Sequence, residues 1–131
     1  MEMLLTIHSA VRWAILAVAA LALVKLMIGW AGGAFRGLDR GLLSGFSGLM
    51  DLQVLTGLIY FFWNGAAAAG FPFYRILHLI VMIAAAGLAH VPARLQGLND
   101  RLRFQYSIYT LVGSLALVLI GIMILPGGLA A

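Results

Sequence analysis

The chain has 131 residues, of which 64% are hydrophobic and 9% charged, with a formal net charge of +4 and a mean hydropathy of +1.09. A soluble domain carries about 25% charged residues to make its polar shell, and disorder goes with low hydrophobicity, so both classes are excluded. An integral membrane protein is left, with room for four or five crossings of about 20 residues and none for a separate catalytic domain outside the bilayer.

The first predicted span runs over about Leu4–Trp30. Its start, Met1-Glu2-Met3, lacks a basic leader and its apolar run exceeds a signal-peptide core, so it reads as a retained membrane helix. A loop over 31–40 follows, marked by Gly32-Gly33 and Gly37, and the second span covers about Gly41–Trp63. A turn over 64–72 leads into the third span, about Phe73–Ala93, with Pro92 expected to kink its end. The charged loop over 94–103 precedes the fourth span, about Phe104–Leu125, which stops at Pro126-Gly127-Gly128. The fold class is therefore all-α: one domain over 1–131, four transmembrane helices, an up-down-up-down bundle with short connections. Ala-rich stretches, and Thr110, Ser114 and Gly121 on the fourth span, read as close-packing surfaces.

Basic residues set the expected orientation. Arg36 and Arg40 lie in loop 31–40 with Lys25 snorkelling toward it, and Arg94, Arg101 and Arg103 flank loop 94–103. The positive-inside rule places both loops in the cytoplasm and both termini outside, in a multi-pass inner-membrane protein. The aromatic run Tyr60-Phe61-Phe62-Trp63 with Phe71, Phe73 and Tyr74 marks the outer interface; Trp30, Phe104 and Tyr106 mark the inner one. This use of the basic residues explains the positive charge without nucleic acid. The absence of cysteine excludes disulfides, iron–sulfur clusters and thiolate metal sites.

Ionisable groups inside a span are costly and carry the functional signal. Five stand out: His8, Arg12, Asp51, His78 and His90. Counting rise from the span ends puts His8 and His78 at similar depth near the outer face, on different helices. Two imidazoles so placed suit the two sides of one haem b iron, a group that needs no covalent attachment motif. Arg12, four residues after His8, and Arg75, three before His78, are the candidate partners of the haem propionates. The plain alternative is a pair of interfacial, hydrogen-bonding histidines.

His90 lies about 18 Å and 120° from His78 along the same helix, so the two cannot share one iron. It reads either as a loop-facing pair with Arg94 at the helix end or as part of an inner haem or quinone site; the first is preferred, because the chain holds no fourth histidine. Asp51 is expected near mid-membrane beside Ser47, with Ser114 at similar depth. It reads either as a neutral acid holding helices in register or, with His90, as a proton or quinone site. Gln53, about 200° around the helix from Asp51, belongs to a different face.

The string His8-Ser9-Ala10-Val11-Arg12-Trp13, the stretch from Leu52-Gln53 through Gly57-Leu58 to Tyr60-Phe61, and His78 with His90 and Arg94 together resemble a family of small four-helix bacterial membrane proteins described as cytochrome b-like. The resemblance covers nearly the whole chain and implies a four-helix membrane fold with haem b at the histidines. The chain departs from the family pattern in having Leu77 and Leu79 around His78 and Asp51 where some relatives have histidine. The departures leave His8 with His78 as the ligand pair.

Three readings of function follow. The first is a membrane electron-transfer protein or subunit with one bis-His haem b near the outer face, exchanging electrons with a redox partner. The second is a non-catalytic accessory subunit of a larger respiratory or photosynthetic membrane complex, packed on other membrane subunits. The third, weaker for want of an inverted repeat, is a small proton-conducting or transporting bundle using Arg12, Asp51 and His90. All three make the chain a carrier or accessory unit sooner than an independent enzyme.

Overall fold

The computed structural model describes residues 2–128, with the side chains of residues 68 and 69 left out. Met1 and residues 129–131, the two ends of the single domain read over 1–131, lie outside the described residues. The described residues form four α-helices: α1 (Glu2–Trp30), α2 (Gly37–Asn64), α3 (Phe73–Ala89) and α4 (Asp100–Ile124). A π-helical turn, Gly65–Ala69, extends α2, and a 3-10 turn, Val91–Arg94, extends α3. All four helices are long and apolar enough to cross a membrane, so the all-helical reading with four helices of spanning length holds.

Each helix packs on its neighbours in sequence, and α1 closes the ring against α4. Connections of a few residues force this antiparallel order. The start of α1 therefore lies beside the end of α2, and the start of α3 beside the end of α4. We call this the histidine end and its opposite the arginine end.

Helix limits differ from expectation where local signals were stronger than hydropathy. α2 starts at Gly37 rather than Gly41, because the Asp39 carboxylate accepts the backbone N–H of Arg36 at 2.9 Å and caps the first turn. α4 starts at Asp100 because Asn99 accepts the N–H of Leu102 at 3.0 Å. Arg101 and Arg103 are thus helical, and Arg103 is buried. The α-helical part of α3 ends at Ala89, ahead of Pro92, which lies in the 3-10 turn. Proline disfavours α-helical geometry in the residue before it, so the helix ends instead of kinking.

The interior is built from small and medium side chains: Ala19, Ala22, Ala85 and Ala89 with Ile15, Leu26, Met50 and Leu111, and the rings of Phe46 and Phe104. Small residues let backbones approach where lipid tails offer no hydrophobic drive. At Gly121 a Cβ would come within 2.8 Å of Met82 Sδ, so glycine there sets the α3–α4 spacing. Large apolar side chains such as Leu21, Ile28, Ile80 and Met123 look outward.

Candidate functional site

A cavity of about 350 Å³ opens at the histidine end and is walled by helices α1, α2 and α3 and the residues just after α4. Its volume falls in the range of small-molecule sites. Leu5, Val54, Leu79 and Met82 make an apolar lining, and the polar side chains are His8, Gln53, Arg75 and His78 with Tyr60 and Tyr74. The structure thus brings His8 and His78 to one cavity.

Each ring is held through Nδ1. His78 Nδ1 lies 2.6 Å from the carbonyl oxygen of Gly121. A carbonyl only accepts, so Nδ1 carries the proton and Nε2 holds a lone pair. The acceptor is available because Gly121 lies in the last turn of α4, where carbonyls lack a helical partner. His8 Nδ1 lies 3.2 Å from Thr56 Oγ1. The Thr56 hydroxyl also reaches the carbonyls of Leu52 and Gln53, both at 3.1 Å; with its one proton on either of them, its oxygen accepts from a His8 ring protonated at Nδ1. A neutral His78 ring therefore carries its lone pair on Nε2, and a neutral His8 ring does so when Thr56 is the acceptor.

The α1–α2 seam around His8 is tight. Gln53 is buried and donates from Nε2 to the His8 carbonyl at 2.9 Å. Its Oε1 is buried with no hydrogen-bond partner among the described residues. A Cβ on Gly57 would sit 3.2 Å from His8 Cε1, so glycine gives the ring its place. Gln53, Thr56 and Gly57 belong to the stretch that carries the family resemblance, yet their roles were invisible without knowing that α2 faces His8.

The two arginines part company. Arg75 lines the cavity, hydrogen-bonds Asn64 Oδ1 and lies 5.8 Å over the Tyr60 ring. Arg12 is not among the lining residues; its guanidinium lies 5.4 Å over the ring of Trp13.

Asp51 and His90 form a separate site on the outside of the bundle. His90 Nε2 meets both carboxylate oxygens of Asp51, at 2.8 and 2.9 Å, with each side chain about half exposed (50% and 55%). This corrects two expectations. Ser47 donates to Ser44 and Ser114 to Ala85, so neither serves Asp51. His90 turns back toward Asp51 instead of joining Arg94 at the loop. Side chains lean toward the N-terminus of their own helix. On antiparallel α2 and α3 that makes Asp51 and His90 lean toward each other, which depth counted from Cα positions missed.

At the arginine end, Lys25 Nζ lies 2.8 Å from Asp39 Oδ1, and the Asp39 side chain is wholly buried. Lys25 is thus an ion-pair partner, where simple snorkelling was expected. Among the described residues no group of three or more metal-ligating side chains occurs. No known family, curated protein or solved structure matches the chain.

Proposed function

We propose that this chain is a membrane-embedded electron carrier holding one haem b between His8 and His78. The observation that supports it is the pair of imidazoles lining one cavity, each with Nδ1 held by an oxygen of another helix. A metal-bound histidine almost always donates its other ring N–H to an oxygen, which fixes tautomer and ring angle. The donor set fits a haem in this respect. When bound, such a group would supply one-electron transfer, and His8 and His78 would be the residues that hold it.

The chain's own residues divide the work. His8 and His78 hold the metal. Leu5, Val54, Leu79 and Met82 exclude water and lower the local dielectric. Arg75, at the cavity wall, is the cation best placed for a carboxylate of the bound group, with Arg12 a turn deeper than His8 on α1 as the lesser candidate. By the positive-inside rule the histidine end faces outward, with loops 31–40 and 94–103 in the cytoplasm. The redox partner or host complex then meets the outer face.

A second reading is favoured by one atom. Gln53 Oε1 is a buried acceptor without a donor, and a quinol hydroxyl in the same cavity would supply one.

Optical spectra of the protein purified in mild detergent test the proposal. The expected result is a Soret band, a dithionite-reduced α band and about one haem per chain. His78→Ala should cut haem content to about a tenth or less while helical circular dichroism is kept. A wild-type protein without extractable haem, or full haem content in both His8→Ala and His78→Ala, overturns it. Quinone in the organic extract of a haem-free protein would select the second reading.

A further inference from the structure

A second cavity, about 100 Å³, lies at the arginine end between α2, the 3-10 turn after α3 and the start of α4. Arg103 lines it from α4, Arg40, Ser44 and Ser47 from α2, and Gln96 from the connecting loop. Arg103 is 9% exposed, so nine-tenths of it is buried. Its guanidinium stacks 4.0 Å from the centre of the Phe35 ring. Its buried Nε finds no hydrogen-bond partner, and among the described residues no carboxylate comes within ion-pair distance of Arg103 or Arg40.

A buried guanidinium without an anion is expensive, and aromatic stacking replaces only part of its hydration. The acid closest in sequence to Arg40, Asp39, is already engaged with Lys25 and the Arg36 N–H. What the groove lacks is a compact anion that can accept from a planar fork, a second arginine, hydroxyls and an amide. Planar bidentate donors of this kind match phosphate oxygens. The volume, about that of three waters in the liquid, admits a phosphate group and excludes anything much larger.

We propose that this groove is a phosphate-binding site in which Arg103 is the buried anchor and Arg40 the exposed rim. The phosphate is either that of an anionic phospholipid headgroup or a free ion. The haem reading is not needed for it. Basic pockets between membrane helices on the cytoplasmic side are where anionic headgroups bind, and the groove is at that level in the orientation proposed above.

The test uses the full-length protein, delipidated in a neutral maltoside detergent and titrated calorimetrically. One arm uses inorganic phosphate and the other phosphatidylglycerol in mixed micelles; diacylglycerol micelles, with the tails but no phosphate, are the control. Binding of phosphatidylglycerol alone assigns the site to a headgroup, and binding of inorganic phosphate as well assigns it to the ion itself; both support the proposal. Arg103→Gln should weaken binding by about tenfold or more, and Arg40→Gln by about threefold. Arg40 is exposed, so its variant keeps the test decisive if Arg103→Gln fails to fold. The proposal is overturned if neither probe binds beyond the diacylglycerol control, or if Arg40→Gln and any folded Arg103→Gln bind as the wild type does.

Discussion

The two ends of the bundle handle polar groups among apolar helices in opposite ways. At the histidine end three uncharged side chains of the cavity are each fixed by a hydrogen bond that crosses between helices, beside the one arginine of its lining: His8 to Thr56, Gln53 to the His8 backbone, His78 to Gly121. At the arginine end they are charged: Lys25 on Asp39, Arg103 on a phenyl face. The difference teaches how each end can be used. Neutral groups tied through one atom keep a second atom, Nε2, free for a ligand at low desolvation cost. Charges must be compensated, so they either lock the fold, as Asp39 does, or call for a counter-ion, as Arg103 does.

The comparison breaks most visibly at Asp39. Asp39→Asn removes the counter-charge of Lys25 and weakens the cap on α2. Removing one partner of a buried pair costs about 3–5 kcal/mol, and because Lys25 is partly exposed the loss should be nearer 2 kcal/mol in thermal or denaturant unfolding. Haem content per folded chain should not change, since the histidine end is separate. A fall in haem content matching that of His78→Ala would show that the ends are one unit.

Gly57→Leu attacks the other end. The added side chain starts 3.2 Å from the His8 ring and must grow toward the cavity or push the ring aside. Overpacking of this kind costs about 1–3 kcal/mol. Haem content should fall well below half, while phosphate binding at the arginine end is kept; unchanged haem content would mean that the ligand does not use the space beside His8. Thr56→Val is subtler. It keeps the shape but leaves His8 Nδ1 without its hydrogen-bond partner, at about 1–2 kcal/mol. The freed ring should loosen the ligand and shift its redox midpoint, read by potentiometric titration against wild type. An unaltered midpoint and haem content would remove Thr56 from the site.

The four helices of membrane-spanning length, their order and the meeting of His8 and His78 at one end were legible in the sequence, because helix length and rise per residue translate directly into height along a bundle. Burial around each helix was partly legible: Gln53 faces inward and Asp51 outward, as their angular separation requires. What periodicity within one helix cannot supply is the register between helices. Thr56 and Gly57 gain their meaning from standing opposite His8, and Gly121 from ending α4 beside His78. Asp39 escaped notice for a related reason: it reads as an ordinary loop acid until its capping of α2 and its pairing with Lys25 place it inside the bundle. Arg103 was counted with a loop for the same cause, since the cap at Asn99 starts α4 earlier than hydropathy does.

The smallest effect is expected at the Asp51–His90 pair, which belongs to neither end. Both side chains are half exposed, and neither lines either cavity. An exposed ion pair contributes about 0–1 kcal/mol, so Asp51→Asn and His90→Gln should each change stability by no more than that in detergent. Haem content, midpoint potential and phosphate binding should all stay at wild-type values. The functional alternative makes the opposite prediction. If the pair handles protons, the midpoint potential of wild type will vary with pH and that slope will flatten in Asp51→Asn. Potentiometric titration of both proteins across the histidine range separates the two: parallel curves leave the pair a surface bridge between α2 and α3, and diverging curves couple the outside of the bundle to its cavity.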